Sequence, residues 1–261
     1  MKLGKNPPLR LLSTPSFGNF VDRATLWPQV KAHGWEFAPV PIKLDSLGND
    51  TIGLCVIAMA MHYGQVETAN TGAPLTPTRE LAISTYSTIT GYDPSQTDDN
   101  GNNPTDQGTS IEGQLFPYWI KTGMPMLDAK GNLVYHKIRG FAALDITSIA
   151  QQRYGTWLFG GSLLGIQVPS SAMPTSPDEI PNWNVFSGSI EGGHGINRAG
   201  QGADGGKVCS WGEWVEYSNA FAQQAVDESY IVTTDLWLDK ISGKTPTGLD
   251  LNGMLAAQAA L

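Results

Sequence analysis

A chain of 261 residues with 41% hydrophobic side chains is long enough to bury one sizeable core. Only 15% of its residues are charged, against 30 glycines and 17 prolines, which excludes a coiled coil or long helical bundle and points to many turns. The net charge of −8 excludes a nucleic-acid partner, and the longest apolar run, residues 54–61, is far short of the ~20 residues that span a bilayer.

Residues 1–8 are basic but no apolar stretch follows them, so no secretory signal and synthesis in the cytoplasm are expected. Two cysteines do not make a disulfide framework. Prolines at positions 7, 8, 15, 28, 39 and 41 forbid a long helix in residues 1–44. The aromatic residues there predict an extended arm anchored by Phe17, Trp27 and Trp35 on a domain spanning residues 45–261. Turn-forming residues 45–50 lead into 52–63, apolar on all sides, which predicts a buried helix. A second helix is expected over 78–90 with Thr78 as its cap, followed by a polar loop over 93–107. Thr109 with Glu112 is a capping-box signal for a helix to about residue 122. Residues 138–144 predict a strand, 145–153 a short helix capped by Asp145, and 162–168 a buried strand. After a loop over 170–190, segments 195–199 and 207–211 flank a glycine-rich turn and are expected to pair as a hairpin. A helix over 218–226, a strand over 230–234 and a short helix over 249–261 complete the chain. Helices come first and strands later, the order of an α+β fold rather than of alternating βαβ units.

The chemistry-bearing residues fall at the helix entry and on the later strands. Cys55 opens the buried helix, where the helix dipole favours a thiolate. Gly53 precedes it by two residues and Asn49 by six, and the Asn49 amide could donate to an oxyanion beside the sulfur. His194 sits in Gly192-Gly193-His194-Gly195, where flanking glycines keep an imidazole accessible. Cys209-Ser210-Trp211-Gly212 follows. A cysteine early, a histidine late and then a Trp-Gly turn is the order of a thiol nucleophile with an imidazole base.

In this order and spacing the chain resembles the papain-like cysteine proteases. Asn49 stands where that family has Gln, and Cys209 stands where it has Asn. More closely, the chain resembles a group of papain-fold proteins of bacteria and phages. The shared stretches are Lys2-Leu3-Gly4-Lys5, residues 47–55, Asp106-Gln107-Gly108-Thr109, the Gly-Gly-His strand, the Trp-Gly turn, residues 227–230 and residues 248–251. Leu54 departs from that group, which often has Asp there. The resemblance implies a helical first half, with the nucleophile helix buried, packed on an antiparallel sheet or barrel. It implies Cys55, His194 and Asn49 as catalytic residues, with Gly53, Gly193, Cys209 and Trp211 beside them. No cofactor or metal is implied.

Two functions fit. One is a cysteine hydrolase of peptide or amide substrates, or an acyltransferase if an amine replaces water. The other is an inactive papain-fold scaffold with protein partners in an assembly, such as a phage virion component. Cys209 is expected close to His194, where sulfur would be a weak acceptor. His62, two turns beyond Cys55, reads as a core histidine; His33 and His136 show no converging partner. The Asp98–Asn103 run departs from the EF-hand pattern and reads as a solvated loop.

Overall fold

The apolar run after residue 53 forms α1 (Cys55–Asn70), and every residue from Cys55 to Thr68 is buried. The computed structural model describes residues 1–9, 14, 16, 17, 37, 42–176 and 179–237. Helix α2 (Arg79–Thr90) starts at Thr78, whose hydroxyl accepts from the Leu81 N–H, and ends at Gly91 in the left-handed conformation. The Thr109–Glu112 capping box does not form. The Thr109 hydroxyl is buried without a partner, and Gln114 reaches back to the Ser110 N–H at 3.0 Å instead. A π turn, Ile111–Leu115, runs into the short helix α3 (Phe116–Lys121). Glu112 points away from the helix start, and its carboxylate lies 3.2 Å from the Tyr230 hydroxyl oxygen.

Strands β1 (Met124–Leu127) and β2 (Leu133–His136) form a small antiparallel hairpin that sequence patterning missed. Strand β3 (Gly140–Ala143) follows, and then α4 (Ile149–Leu158). The cap of α4 is Ser148, not Asp145, whose carboxylate closes a local turn by accepting from the Thr147 N–H at 2.9 Å. The remaining elements are β4 (Ser162–Pro169), β5 (Ile190–Gln201), β6 (Gly205–Ser210), β7 (Glu213–Ser218), α5 (Asn219–Ala225) and β8 (Val226–Thr233). The six strands β3 to β8 make one sheet in the order β3-β8-β4-β5-β6-β7, with every pairing antiparallel. The expected hairpin is β5–β6, extended by β7. The fold is α+β and papain-like, with α1 lying between a helical layer and the sheet.

One core cluster surrounds α1 and joins Tyr63, Tyr86, Phe116 and Trp119 to Leu163 and Tyr230 of the sheet. A second fills the sheet half with Leu164, Ile166, Trp183, Val208 and Phe221. Close contact between α1 and β5 depends on Gly195. A methyl group there would lie 3.2 Å from Val56 Cα and 3.0 Å from its side chain. Phe17 is buried and meets Phe159 edge to face, with centroids 6.0 Å apart. Trp27, Trp35, His33 and the expected helix over 249–261 lie outside the described residues.

His136, unpartnered in the sequence reading, is the centre of a buried polar network. Its Nε2 meets Glu67, whose other oxygen accepts from the Thr234 hydroxyl at 2.6 Å, and Trp119 Nε1 donates to the His136 carbonyl at 2.9 Å. The partner was invisible because Glu67 lies 69 residues away along the chain. Glu67→Leu would strand both the imidazole nitrogen and the threonine hydroxyl in the core, at about 1–3 kcal/mol each. Urea unfolding should show a loss of at least ~2 kcal/mol with an unchanged denaturant slope.

Candidate active site

Cys55 is the first residue of α1 and is only 1% exposed. Its sulfur accepts from the Gly195 N–H at 3.4 Å, and the backbone N–H groups of Gly4 and Val56 favour its thiolate form. Burial nevertheless pushes the thiol up to about 11, with the backbone donors and the Lys5 ammonium opposing the rise. His194 is the β5 residue next to Gly195 and is also buried. Burial lowers its imidazole to about 3, so both groups are neutral at pH 7.

The imidazole is held from two sides. Its Nε2 is 2.8 Å from the Ser210 hydroxyl, and its ring stacks on Trp211 at 4.4 Å and 22°. Its Nδ1 has no hydrogen-bond partner. The indole reaches this position because Trp211-Gly212 is a two-residue hairpin loop between β6 and β7, with positive φ at both residues (50° and 82°). That is the turn whose twist matches its strands, and a side chain at its first position accepts the left-handed region at a cost. Cys209 does not take the place expected beside His194. It lies opposite Asn197 in the β5–β6 register, and its sulfur is approached by the Gly212 N–H. Neighbouring strand residues face opposite sides, so Ser210 is the one presented to the imidazole.

Residues 2–6 run as a strap through the groove between the helical layer and the sheet. On one side the Lys2 N–H donates to the Asn49 carbonyl at 3.1 Å. The Thr109 N–H donates to the Gly4 carbonyl at 2.8 Å, and the Asn6 N–H to the Thr109 carbonyl at 3.0 Å. On the other side the Lys5 N–H donates to the Gly193 carbonyl at 3.0 Å. The Lys2 carbonyl accepts from Asn49 Nδ2 at 3.1 Å and from Trp211 Nε1 at 3.2 Å. The shorter Asn amide therefore does reach a carbonyl in the groove, and it also donates to the Ile52 carbonyl at 2.9 Å. Glycines make the passage possible. A methyl group would sit 1.9 Å from the Gly53 carbonyl oxygen if placed on Gly4, and 2.4 Å from the Lys5 carbonyl oxygen if placed on Gly193. Asp106 fixes the same turn, accepting from the Gly53 N–H at 3.0 Å and pairing with Lys2 at 2.6 Å.

Asn49, Gly53, Cys55, Trp211 and Gly193 thus border one groove that the strap fills, while His194 stacks on Trp211 with no hydrogen bond from its ring to the Cys55 sulfur. Sequence reasoning missed Ser210, the Thr109 backbone and Asp106. Asp106 reads only as part of a stretch that resembles other chains, and Thr109 reads in addition as a helix cap. An open pocket of about 530 Å³ lies elsewhere, at the far end of the β5–β6 hairpin beside Gly202, Asp204 and Lys207. The Asp98 loop is exposed, its carboxylate accepting from the Asn100 and Asn102 N–H groups at 2.9 and 2.8 Å. Among the described residues no helix is long and apolar enough to cross a membrane. Because the thiol is raised to about 11, alkylation of Cys55 in the intact chain should climb steadily from pH 7 toward a midpoint near 11. A pH–rate series with iodoacetamide, read peptide by peptide, checks this; a plateau already reached at pH 7 would contradict it.

No protein-family model and no curated protein matches this chain by sequence. Solved structures do match it by fold. Xylellain, a cysteine protease from Xylella fastidiosa, superposes with a TM-score of 0.63 at 14% identity, over 89% of this chain and 96% of that one. The proCathepsin B S9 structure from Trypanosoma congolense gives 0.52 at 11% identity, over 89% of this chain and 86% of that one. At such identities the likeness concerns the fold.

Proposed function

We propose that this papain-fold chain is a cysteine hydrolase of peptide or amide bonds, held closed by its own residues 2–6. The observation that carries the reading is a peptide-like segment bonded along both walls of a groove that passes a helix-entry thiol, whose Gly195 donor is the strand neighbour of a buried imidazole. A groove that holds one extended backbone through fixed N–H and C=O groups can hold another.

With the strap withdrawn, water re-enters and the burial that keeps both groups neutral is relieved. His194 takes the proton of Cys55 through its free Nδ1, and the sulfur attacks the substrate carbonyl carbon. The oxyanion finds the Cys55 N–H and the Asn49 amide. As the C–N bond breaks, the imidazolium gives its proton to the departing amine, leaving a thioester. Water, deprotonated by His194, then cleaves the C–S bond, releasing the acid and restoring the thiol. Ser210 and the Trp211 ring hold the imidazole throughout. In the closed state the strap offers the sulfur the Gly4 N–H, a donor and not an electrophilic carbon, which is consistent with its remaining intact.

The test is turnover of a panel of peptide and amide substrates by a chain whose strap has been loosened at Gly4, with Cys55→Ala as control. Turnover lost with Cys55 supports the reading. A folded, loosened chain that turns over nothing, and whose Cys55 alkylates no faster than free cysteine, would replace it with the scaffold reading.

A further inference from the structure

We infer that the groove carries a specificity pocket for a basic side chain, lysine or arginine, formed by Asp227 and Glu228. Its use as a substrate pocket rests on the hydrolase reading above; its chemistry does not.

The pocket is visible because Lys5 of the strap occupies it. The Lys5 side chain is wholly buried, and its ammonium meets Glu228 Oε1 at 3.0 Å, Asp227 Oδ2 at 3.1 Å and the Asn6 carbonyl at 3.1 Å. Lys5 is also the strap residue held most completely by backbone. Its own N–H bonds Gly193, and its neighbours Gly4 and Asn6 bond Thr109 on the opposite wall. A side chain on a residue gripped in this way has one direction to take, and that direction ends at two carboxylates.

The acids converge for reasons built into the sheet. Adjacent strand residues normally face opposite sides. Between β4 and β8 the register slips, Gly165 pairing with Glu228 and Ile166 with Val226, so Asp227 is an extra residue in β8. A bulge of this kind re-aims a side chain, and here both acids reach the same ammonium. Gly165 leaves the space for them. A methyl group there would lie 2.5 Å from Glu228 Cγ and 2.8 Å from Asp227 Oδ1. On the other edge of β4, Gly165 pairs with Gly195, the donor to the Cys55 sulfur. Two strand spacings, roughly 10 Å, therefore separate the sulfur's backbone donor from Glu228. That is a distance a single extended peptide bridges with one side chain.

The carboxylates are themselves held in place. Tyr230 donates to Glu228 Oε2 at 2.9 Å and Gln167 donates to Asp227 Oδ2 at 2.6 Å. Asp227 Oδ1 is buried without a partner, an acceptor left over after lysine is seated. A guanidinium, with five N–H donors, could use it, so arginine should be accepted as well as lysine. Burial raises the Glu228 carboxyl and the Lys5 ammonium opposes that rise, so a seated cation is what favours the charged carboxylate here.

The experiment uses the full-length chain carrying Gly4→Val to loosen the strap and Cys55→Ala to prevent turnover. Binding of the synthetic peptide of residues 1–6 is measured by calorimetry, against the same peptide carrying Lys5→Arg or Lys5→Leu. The Lys and Arg peptides should bind at least about tenfold more tightly than the Leu peptide, the scale of one charge-assisted hydrogen bond. Asp227→Asn with Glu228→Gln in the protein should bring the three to within about twofold. Equal binding of the Leu peptide, a preference that survives the double substitution, or no binding by any peptide overturns the pocket.

Should the double variant fold poorly, the unaltered chain gives the same answer. Lys5→Leu should speed alkylation of Cys55 and Lys5→Arg should restore protection; no difference between them overturns the pocket. With Cys55 intact, turnover that ignores basic residues overturns the pocket and keeps the hydrolase. Binding that prefers them without any turnover does the reverse.

Discussion

Gly4→Val should convert a shielded thiol into a reactive one. The new side chain would be driven into the Gly53 carbonyl, 1.9 Å from its first carbon, and the next nearest atoms are also Gly53 backbone. Backbone at the entry of α1 has nowhere to go, since Gly53 is tied down by Asp106 and Leu54 is fully buried. The strap must leave instead, and its hydrogen bonds to Asn49, Thr109, Gly193 and Trp211 leave with it. Alkylation of Cys55 at pH 7.5 should accelerate by at least about tenfold, the rate equivalent of ~1.4 kcal/mol. The midpoint of its pH profile should fall from about 11 as water and the imidazole reach the sulfur. Cys209, buried and with its sulfur beside the Gly212 N–H, is the internal control and should not change. An unchanged Cys55 rate in a folded variant would mean that the strap does not guard the thiol.

In that loosened chain, Cys55→Ala should reduce hydrolysis to background, because it removes the thiol at the entry of α1 that the strap covers. Ser210→Ala should cost about tenfold in kcat with KM little changed, the worth of one hydrogen bond that orients the base. A spectroscopic check separates orientation from packing. The His194 imidazole should change tautomer balance and mobility by NMR in Ser210→Ala while the melting temperature holds. Cys209→Ala should leave kcat within about twofold, since its sulfur faces the Gly212 N–H and not the imidazole. If Cys209→Ala were the damaging change and Ser210→Ala silent, the assignment of the orienting group would be reversed.

Ser210 shows how far the sequence could be read. Motif spacing aligns Cys209 with the orienting position by counting residues. In a strand, however, a shift of one residue turns every side chain to the other face. The β5–β6 register slips between Arg198 and Gly200, and the following turn takes positive φ at Trp211; neither is written in the local pattern. Helix α1 was legible because its apolar run has no polar face to misplace. The β5–β6 hairpin was legible from its glycine-rich turn. Strand β7 escaped although its burial does alternate over Val215–Tyr217, because Glu213 and Glu216, one on each face, dilute the apolar signal. Residues 1–8 read as a proline-punctuated lead-in, yet residues 2–6 form the most consequential segment near the thiol. Their partners Asp106, Thr109, Gly193 and Asp227 lie between 100 and 225 positions downstream, beyond any local rule.

The strap belongs to the same molecule as the groove, and this sets the terms on which anything else can enter. A tethered occupant competes at an effective concentration, in the millimolar range for short flexible tethers and lower as the tether lengthens. A free peptide that binds the empty groove at micromolar concentrations would therefore see an apparent affinity weakened by the ratio of that local concentration to the strap's own dissociation constant. Assays at ordinary substrate levels would record silence from a competent site. Activity would emerge where substrate is locally concentrated, or where a partner draws residues 2–6 away, so that abundance and not sequence alone decides what this protein processes.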